Sequence, residues 1–134
     1  MRVVISKNTA RGRITAPPSK SMAHRLLICA ALANGESTVR GISDCEDVAA
    51  TLDCVRALGV IAERDGDDVT VKGRTPDRFF SGATLPCRES GSTLRFLIPL
   101  ALCSGKTTML TGMPSLMSRP MDVYEKMCLD GGIT

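Results

Sequence analysis

The stretch Pro17-Pro18-Ser19-Lys20-Ser21-Met22-Ala23-His24-Arg25 decides how the rest of the chain is read. Two prolines end whatever element precedes them and force an extended lead. Small polar residues then open a helix, whose first turn carries unpaired backbone N–H groups and a partial positive charge. Lys20 adds a point charge at that mouth and Ser21 a hydroxyl. Arg25 follows Ser21 by one helical turn, so its planar fork lies on the same face. These groups converge on a spot the size of a phosphate or carboxylate. A capped helix with two solvated charges would have the same sequence, so the reading needs support from elsewhere.

An internal repeat supplies it. Shifted by 70 positions, Arg25 meets Arg95, Leu27 meets Leu97, Ile28 meets Ile98, and Ala31 meets Ala101. Leu32 likewise meets Leu102, Gly35 meets Gly105, and Thr38 meets Thr108. Similar Leu/Ala-rich helices would share some of these positions by chance. Matching arginines, matching glycines and matching threonines beyond them are harder to explain that way. The second copy, Glu89-Ser90-Gly91-Ser92-Thr93-Leu94-Arg95, again places small residues at a helix start with an arginine one turn on. Gly91 would let a ligand approach the backbone closely. Arg119, before Pro120, stands at a third helix start and could meet an anion in the same way; alone it reads first as a solvated arginine.

The pattern elsewhere is mixed. Val3–Ser6 and Gly12–Thr15 read as two short strands. A helix runs from Ser21, with Asn34-Gly35 as its stop. Ser37–Arg40 reads as a strand. A second helix opens at Asp44 as N-cap, with Val48, Leu52, Val55 and Leu58 along one stripe and Gly59 at its end. Val60–Glu63 and Val69–Lys72 form a hairpin about Asp65-Gly66-Asp67-Asp68. Residues 73–88 show no period. A third helix begins at Ser90-Gly91-Ser92, contains Pro99 and closes at Ser104-Gly105; Pro99 should kink it or cost a backbone bond. A strand follows at Thr107–Thr111. A fourth helix starts at Ser118-Arg119-Pro120 and stops at Gly131-Gly132. Two copies of a helix–strand–helix–strand unit result, the second lacking its last strands.

Composition narrows the function classes. The 134 residues are 43% apolar and 23% charged, enough for one packed core. Aromatic residues are only 3%, which argues against base stacking on single-stranded nucleic acid. A formal charge of +3 without a basic run is too weak for a nucleic-acid footprint and suits small anions. No apolar stretch reaches membrane-spanning length, and no signal peptide is visible. The six cysteines lack C-x-x-C spacing, and those in apolar helical patterns read as small buried hydrophobes. The expected compartment is the reducing cytoplasm. His24 is the single histidine, so no His-based metal cluster or Ser-His-Asp set can be complete; it reads as structural or solvent-facing. Gly105-Lys106-Thr107 resembles the end of a Walker A loop, but Leu100 replaces its first glycine. Met113, Met117, Met121 and Met127 read as core fillers.

Taken in order, PPSKSMAHRLLICAALANGES, SDCEDVAATLDCVRALGV, RESGSTLRFLIPLAL and MPSLMSRPMDVYEKM resemble the successive signatures of the 5-enolpyruvylshikimate-3-phosphate synthases, within the enolpyruvyl transferases. The resemblance implies an α/β (α+β) fold of repeated βαβαββ units, incomplete here. Residues 1–16 would be strands of the other domain. Residues 17–134 would hold a first unit and most of a second. It implies transfer of the enolpyruvyl group of phosphoenolpyruvate to the 5-hydroxyl of shikimate 3-phosphate, with no cofactor and no metal. By the same resemblance, Lys20 contacts both substrates, Ser21 and Arg25 bind shikimate 3-phosphate, and Gly91 and Arg119 bind phosphoenolpyruvate. Asp47 orients Lys20. The catalytic acid and base are expected beyond residue 134, so this chain alone is expected to bind without turnover. The intact protein is expected to be a monomer. One departure stands out: Glu89-Ser90-Gly91-Ser92 occupies the place where many members have Asn-Ala-Gly-Thr. The alternatives are the sister enzyme acting on a UDP-sugar, which typically has Lys-Asn where this chain has Lys20-Ser21, and a non-catalytic anion-binding domain.

Overall fold

A computed structural model describes residues 2–9, 11–74 and 82–133. In order these form α1 (Lys20–Leu32), β1 (Gly35–Val39), α2 (Glu46–Ala57), β2 (Ile61–Asp65), β3 (Asp68–Gly73), β4 (Thr84–Pro86), α3 (Gly91–Ser104), β5 (Met109–Thr111), α4 (Pro114–Met117) and α5 (Asp122–Gly131). β3 is the centre of an antiparallel sheet ordered β1-β3-β2. Its Val69 and Val71 are fully buried, while residues between and beyond them are half-covered or exposed. The strand period of two thus turns one face of the sheet onto α1 and α2. Each buried valine contributes roughly 2 kcal/mol of transfer free energy. At the end of β3, Gly73 lies on the C-terminal turn of α1, where a Cβ would collide with the Ala30 and Ala33 carbonyl oxygens. A glycine there lets the sheet edge reach the helix, and the Arg74 N–H donates to the Ala31 carbonyl.

The second unit packs differently. β4 and β5 pair in parallel, with α3 as the crossover between them. Leu85, Leu94, Leu97 and Leu116 join the core of the first unit, so one hydrophobic cluster spans both. Pro99 has no N–H to give the Arg95 carbonyl one turn earlier. The Tyr124 hydroxyl, from α5, donates to that carbonyl at 3.3 Å and fills the gap. This is where the expected cost of Pro99 is met.

Several sequence expectations need correction. Residues at Val3–Ser6 and Gly12–Thr15 form no strand; Ile5 and Ile14 are 90% and 92% exposed. A strand is made by its ladder partner, and no described strand pairs with these segments. Asp44 is not the N-cap of α2. Cys45 holds that position with no side-chain cap bond, and the Asp44 carboxylate pairs with Arg64 at 3.2 Å. The turn-rich span contains a strand, β4, secured by its pairing with β5; residues 75–81 of it lie outside the described residues. Pro120 precedes α5 rather than opening it, and a separate short helix, α4, lies before Arg119. Met113, Met117 and Met127 are exposed, because no described element covers their faces; only Met121 packs on the core. Cys29 and Cys103 are exposed, while Cys54 and Cys87 are buried with their sulfurs 3.9 Å apart. The two glycines matched by the repeat also differ in role: Gly35 opens β1, whereas Gly105 is a left-handed cap on α3.

Candidate functional site

The start of α1 is exposed and donor-rich. Ser19 is its N-cap and accepts from the Met22 N–H at 3.3 Å. Lys20, the first helical residue, donates to Asp47 Oδ2 on α2 at 2.9 Å. The hydrogen bond that Lys20 donates to Asp47, and then the Asp47 charge, raise the Lys20 pKa above its ordinary value and favour the charged ammonium. Arg25 Nη1 donates to the Ser21 carbonyl at 2.8 Å and to Ser21 Oγ at 2.6 Å. Its guanidinium also lies 4.8 Å from the centroid of Phe96 on α3. Arg25 is thereby held in one pose, with its remaining N–H groups unpaired by any described residue. Lys20, Ser21 and Arg25 are thus brought together.

The start of α3 forms the second cluster. Ser90 caps it, accepting from the Thr93 N–H at 3.3 Å. Gly91 is the first helical residue, and a Cβ built on it would lie 2.6 Å from Arg119 Nη1. The Arg119 fork therefore rests against the bare backbone of Gly91. No hydrogen bond or ion pair joins that fork to another described residue. Gly91 and Arg119, 28 positions apart in sequence (119 − 91), meet at one helix start. Glu89, the departure from the common pattern, accepts from Ser115 Oγ at 2.7 Å. Its carboxylate is thereby turned onto the start of α4.

Between the clusters runs a buried polar chain that sequence reading missed. His24 Nδ1 is 2.7 Å from Thr51 Oγ1, which is 2.7 Å from Thr93 Oγ1, which donates to Ser90 Oγ at 2.7 Å. All four residues are at most 2% exposed. Burial, first, lowers the His24 pKa; Lys20 and Arg25 lower it further and Asp47 opposes them. His24 is thus a buried residue whose neutral form is favoured. Another missed residue is Arg88, which grips Glu46 at 2.7 Å and Asp53 at 2.8 Å and holds the turn before α3 onto α2. It does so at φ 51°, a left-handed conformation rare outside glycine.

Known proteins resemble this chain in sequence and in fold. The family model described as EPSP synthase (3-phosphoshikimate 1-carboxyvinyltransferase) matches residues 5–127. The chain belongs to the EPSP synthase family. A 3-phosphoshikimate 1-carboxyvinyltransferase of Clostridium kluyveri is 40% identical over 122 residues, covering 91% of this chain and 28% of that protein. One from Clostridium novyi is 38% identical over 139 residues, covering 98% of this chain and 32% of its own length. Among solved structures, EPSP synthase from Acinetobacter baumannii superposes with a TM-score of 0.75 at 31% identity, over 92% of this chain and 28% of that one. The chain has the EPSP synthase fold in part, spanning about three tenths of the length of these relatives. Among the described residues no helix is long and apolar enough to cross a membrane.

Proposed function

We propose that this chain supplies the shikimate 3-phosphate side, and part of the phosphoenolpyruvate side, of an enolpyruvyl transferase cleft. In the reaction the 5-hydroxyl of shikimate 3-phosphate adds to C2 of phosphoenolpyruvate as C3 is protonated, and phosphate then leaves. Both substrates are multiply anionic, so binding them together demands fixed positive charge. Lys20, held by Asp47, supplies a point charge between them. Ser21 and Arg25, locked to one another, take shikimate 3-phosphate. Gly91 and Arg119 take phosphoenolpyruvate, the fork on its carboxylate or phosphate and the bare backbone at close range. The observation that carries this reading is the unpaired Arg119 fork against Gly91, beside a second donor-rich helix start on α1.

Proton transfer needs an acid and a base, which we assign to protein beyond residue 134. Residues 1–16 belong in this reading to a second domain; those of them that the structure describes, 2–9 and 11–16, are exposed and lie in no described strand. The intact protein would work as a cytoplasmic monomer. A phosphate-release assay with both substrates tests the division of labour. No turnover is expected from the 134-residue chain alone, together with saturable binding of shikimate 3-phosphate. Turnover by the chain alone would overturn the division, and absence of binding would overturn the site.

A further inference from the structure

The chain His24–Thr51–Thr93–Ser90 has a direction. Geometry makes the Thr93 hydroxyl the donor to Ser90 Oγ. Ser90 Oγ also accepts the Thr93 N–H, so both its lone pairs are used. Having given its proton to Ser90, Thr93 must receive one from Thr51 across their 2.7 Å contact. Thr51 has then spent its own proton, so His24 must donate from Nδ1. The competing acceptor, the Asp47 carbonyl, is 3.4 Å from both threonine hydroxyls, too long to outcompete contacts of 2.7 Å. What remains is the Ser90 hydroxyl proton. It has no acceptor among the described residues, although Ser90 is only 2% exposed and adjoins Gly91.

The chain also touches both clusters. His24 sits one residue before Arg25, and its ring is 6.4 Å from Phe96, the ring on which Arg25 rests. Thr51 lies one turn beyond Asp47, whose carboxylate holds Lys20 and whose carbonyl faces Thr93.

We propose that His24–Thr51–Thr93–Ser90 is a directional positioning chain coupling the two anion sites, with the Ser90 hydroxyl donating a hydrogen bond to the anion held at Gly91. The proposal rests on the functional reading above. An anion accepting a hydrogen bond from Ser90 polarises and shortens each hydrogen bond of the chain, with every proton staying on its own donor, and tightens α1 and α2 onto the start of α3. Hydrogen bonds in series polarise one another, so the effect reaches His24.

Because His24 is the only histidine, its ring nitrogens can be observed without ambiguity in the ¹⁵N-labelled 134-residue chain. The expected tautomer is Nδ1–H with Nε2 bare. Adding phosphoenolpyruvate with shikimate 3-phosphate should shift the His24 Nδ1 resonance together with the amides of Gly91 and Arg119. Thr93→Val should silence the His24 response and weaken phosphoenolpyruvate about fivefold, the loss of roughly one net hydrogen bond. Thr93→Ser, which keeps the hydroxyl, should restore both. An Nε2–H tautomer overturns the proposal without any variant. So does a still His24 while the Gly91 and Arg119 amides move, which leaves the functional reading standing. If those amides do not move either, the functional reading fails and takes this one with it.

Discussion

Gly91 and Arg119 are in such close register that a single added methyl at Gly91 would stand 2.6 Å from the arginine's Nη1. The guanidinium is the far end of a flexible side chain, so it can move, but only by leaving the surface it now covers. Gly91→Ala is therefore expected to fold normally and to weaken phosphoenolpyruvate by about tenfold, equivalent to ~1.4 kcal/mol of binding. Shikimate 3-phosphate should be unaffected. Calorimetric titration of each ligand against the variant checks the asymmetry; equal losses for both would contradict it.

Lys20 and Asp47 make the second prediction. Their ion pair is solvent-exposed, so its contribution to stability is small. Its value is in aiming the ammonium. Asp47→Asn should leave the thermal midpoint within a degree or two yet reduce shikimate 3-phosphate affinity several-fold, on the order of 1 kcal/mol. Lys20→Ala should also reduce the salt dependence of binding. Melting curves paired with titrations at two ionic strengths would separate these effects.

His24 sets a pH limit on stability. Its folded-state pKa is lowered, so below its ordinary value of 6.5 the unfolded chain binds a proton that the folded chain resists. Stability therefore rises with pH through this region and falls as pH drops below about 6.5. Urea midpoints measured between pH 7.5 and 5.5 should decline, and His24→Asn should flatten that decline. A midpoint independent of pH in the wild-type chain would contradict neutral burial.

Tyr124 and Pro99 give a stability prediction remote from either cluster. Tyr124→Phe removes the donor that replaces the missing Pro99 N–H and should cost about 1 kcal/mol. In a Pro99→Ala background the backbone N–H returns and the same substitution should cost much less. A double-mutant cycle on urea unfolding measures that coupling.

The α1 cluster was legible in the sequence because its logic is local. Ser21 and Arg25 are one turn apart, and that spacing alone predicts the bond they make. The meeting of Gly91 with Arg119 is not local; it depends on β4–β5 pairing and the turn through α4, and family resemblance alone suggested it. His24, Thr51, Thr93 and Ser90 were missed because each is ordinary in its own element, and only the packing of α1, α2 and α3 joins them. The apolar runs at Val3–Ser6 and Gly12–Thr15 pair with no described strand. Their β-branched residues favour extended backbone, but propensity does not supply a partner strand. Asp44 failed similarly: a good capping residue was drawn away by Arg64, and the helix began later.

In the proposed function two helix starts, not one, hold two different anions. Residue-resolved NMR titration of the 134-residue chain tests it most directly. Shikimate 3-phosphate added first should move the amides of Lys20, Ser21 and Arg25 and leave Arg119 nearly still. Phosphoenolpyruvate added next should move Gly91 and Arg119. If both ligands perturb only one cluster, or neither perturbs Lys20 to Arg25, the claim is wrong.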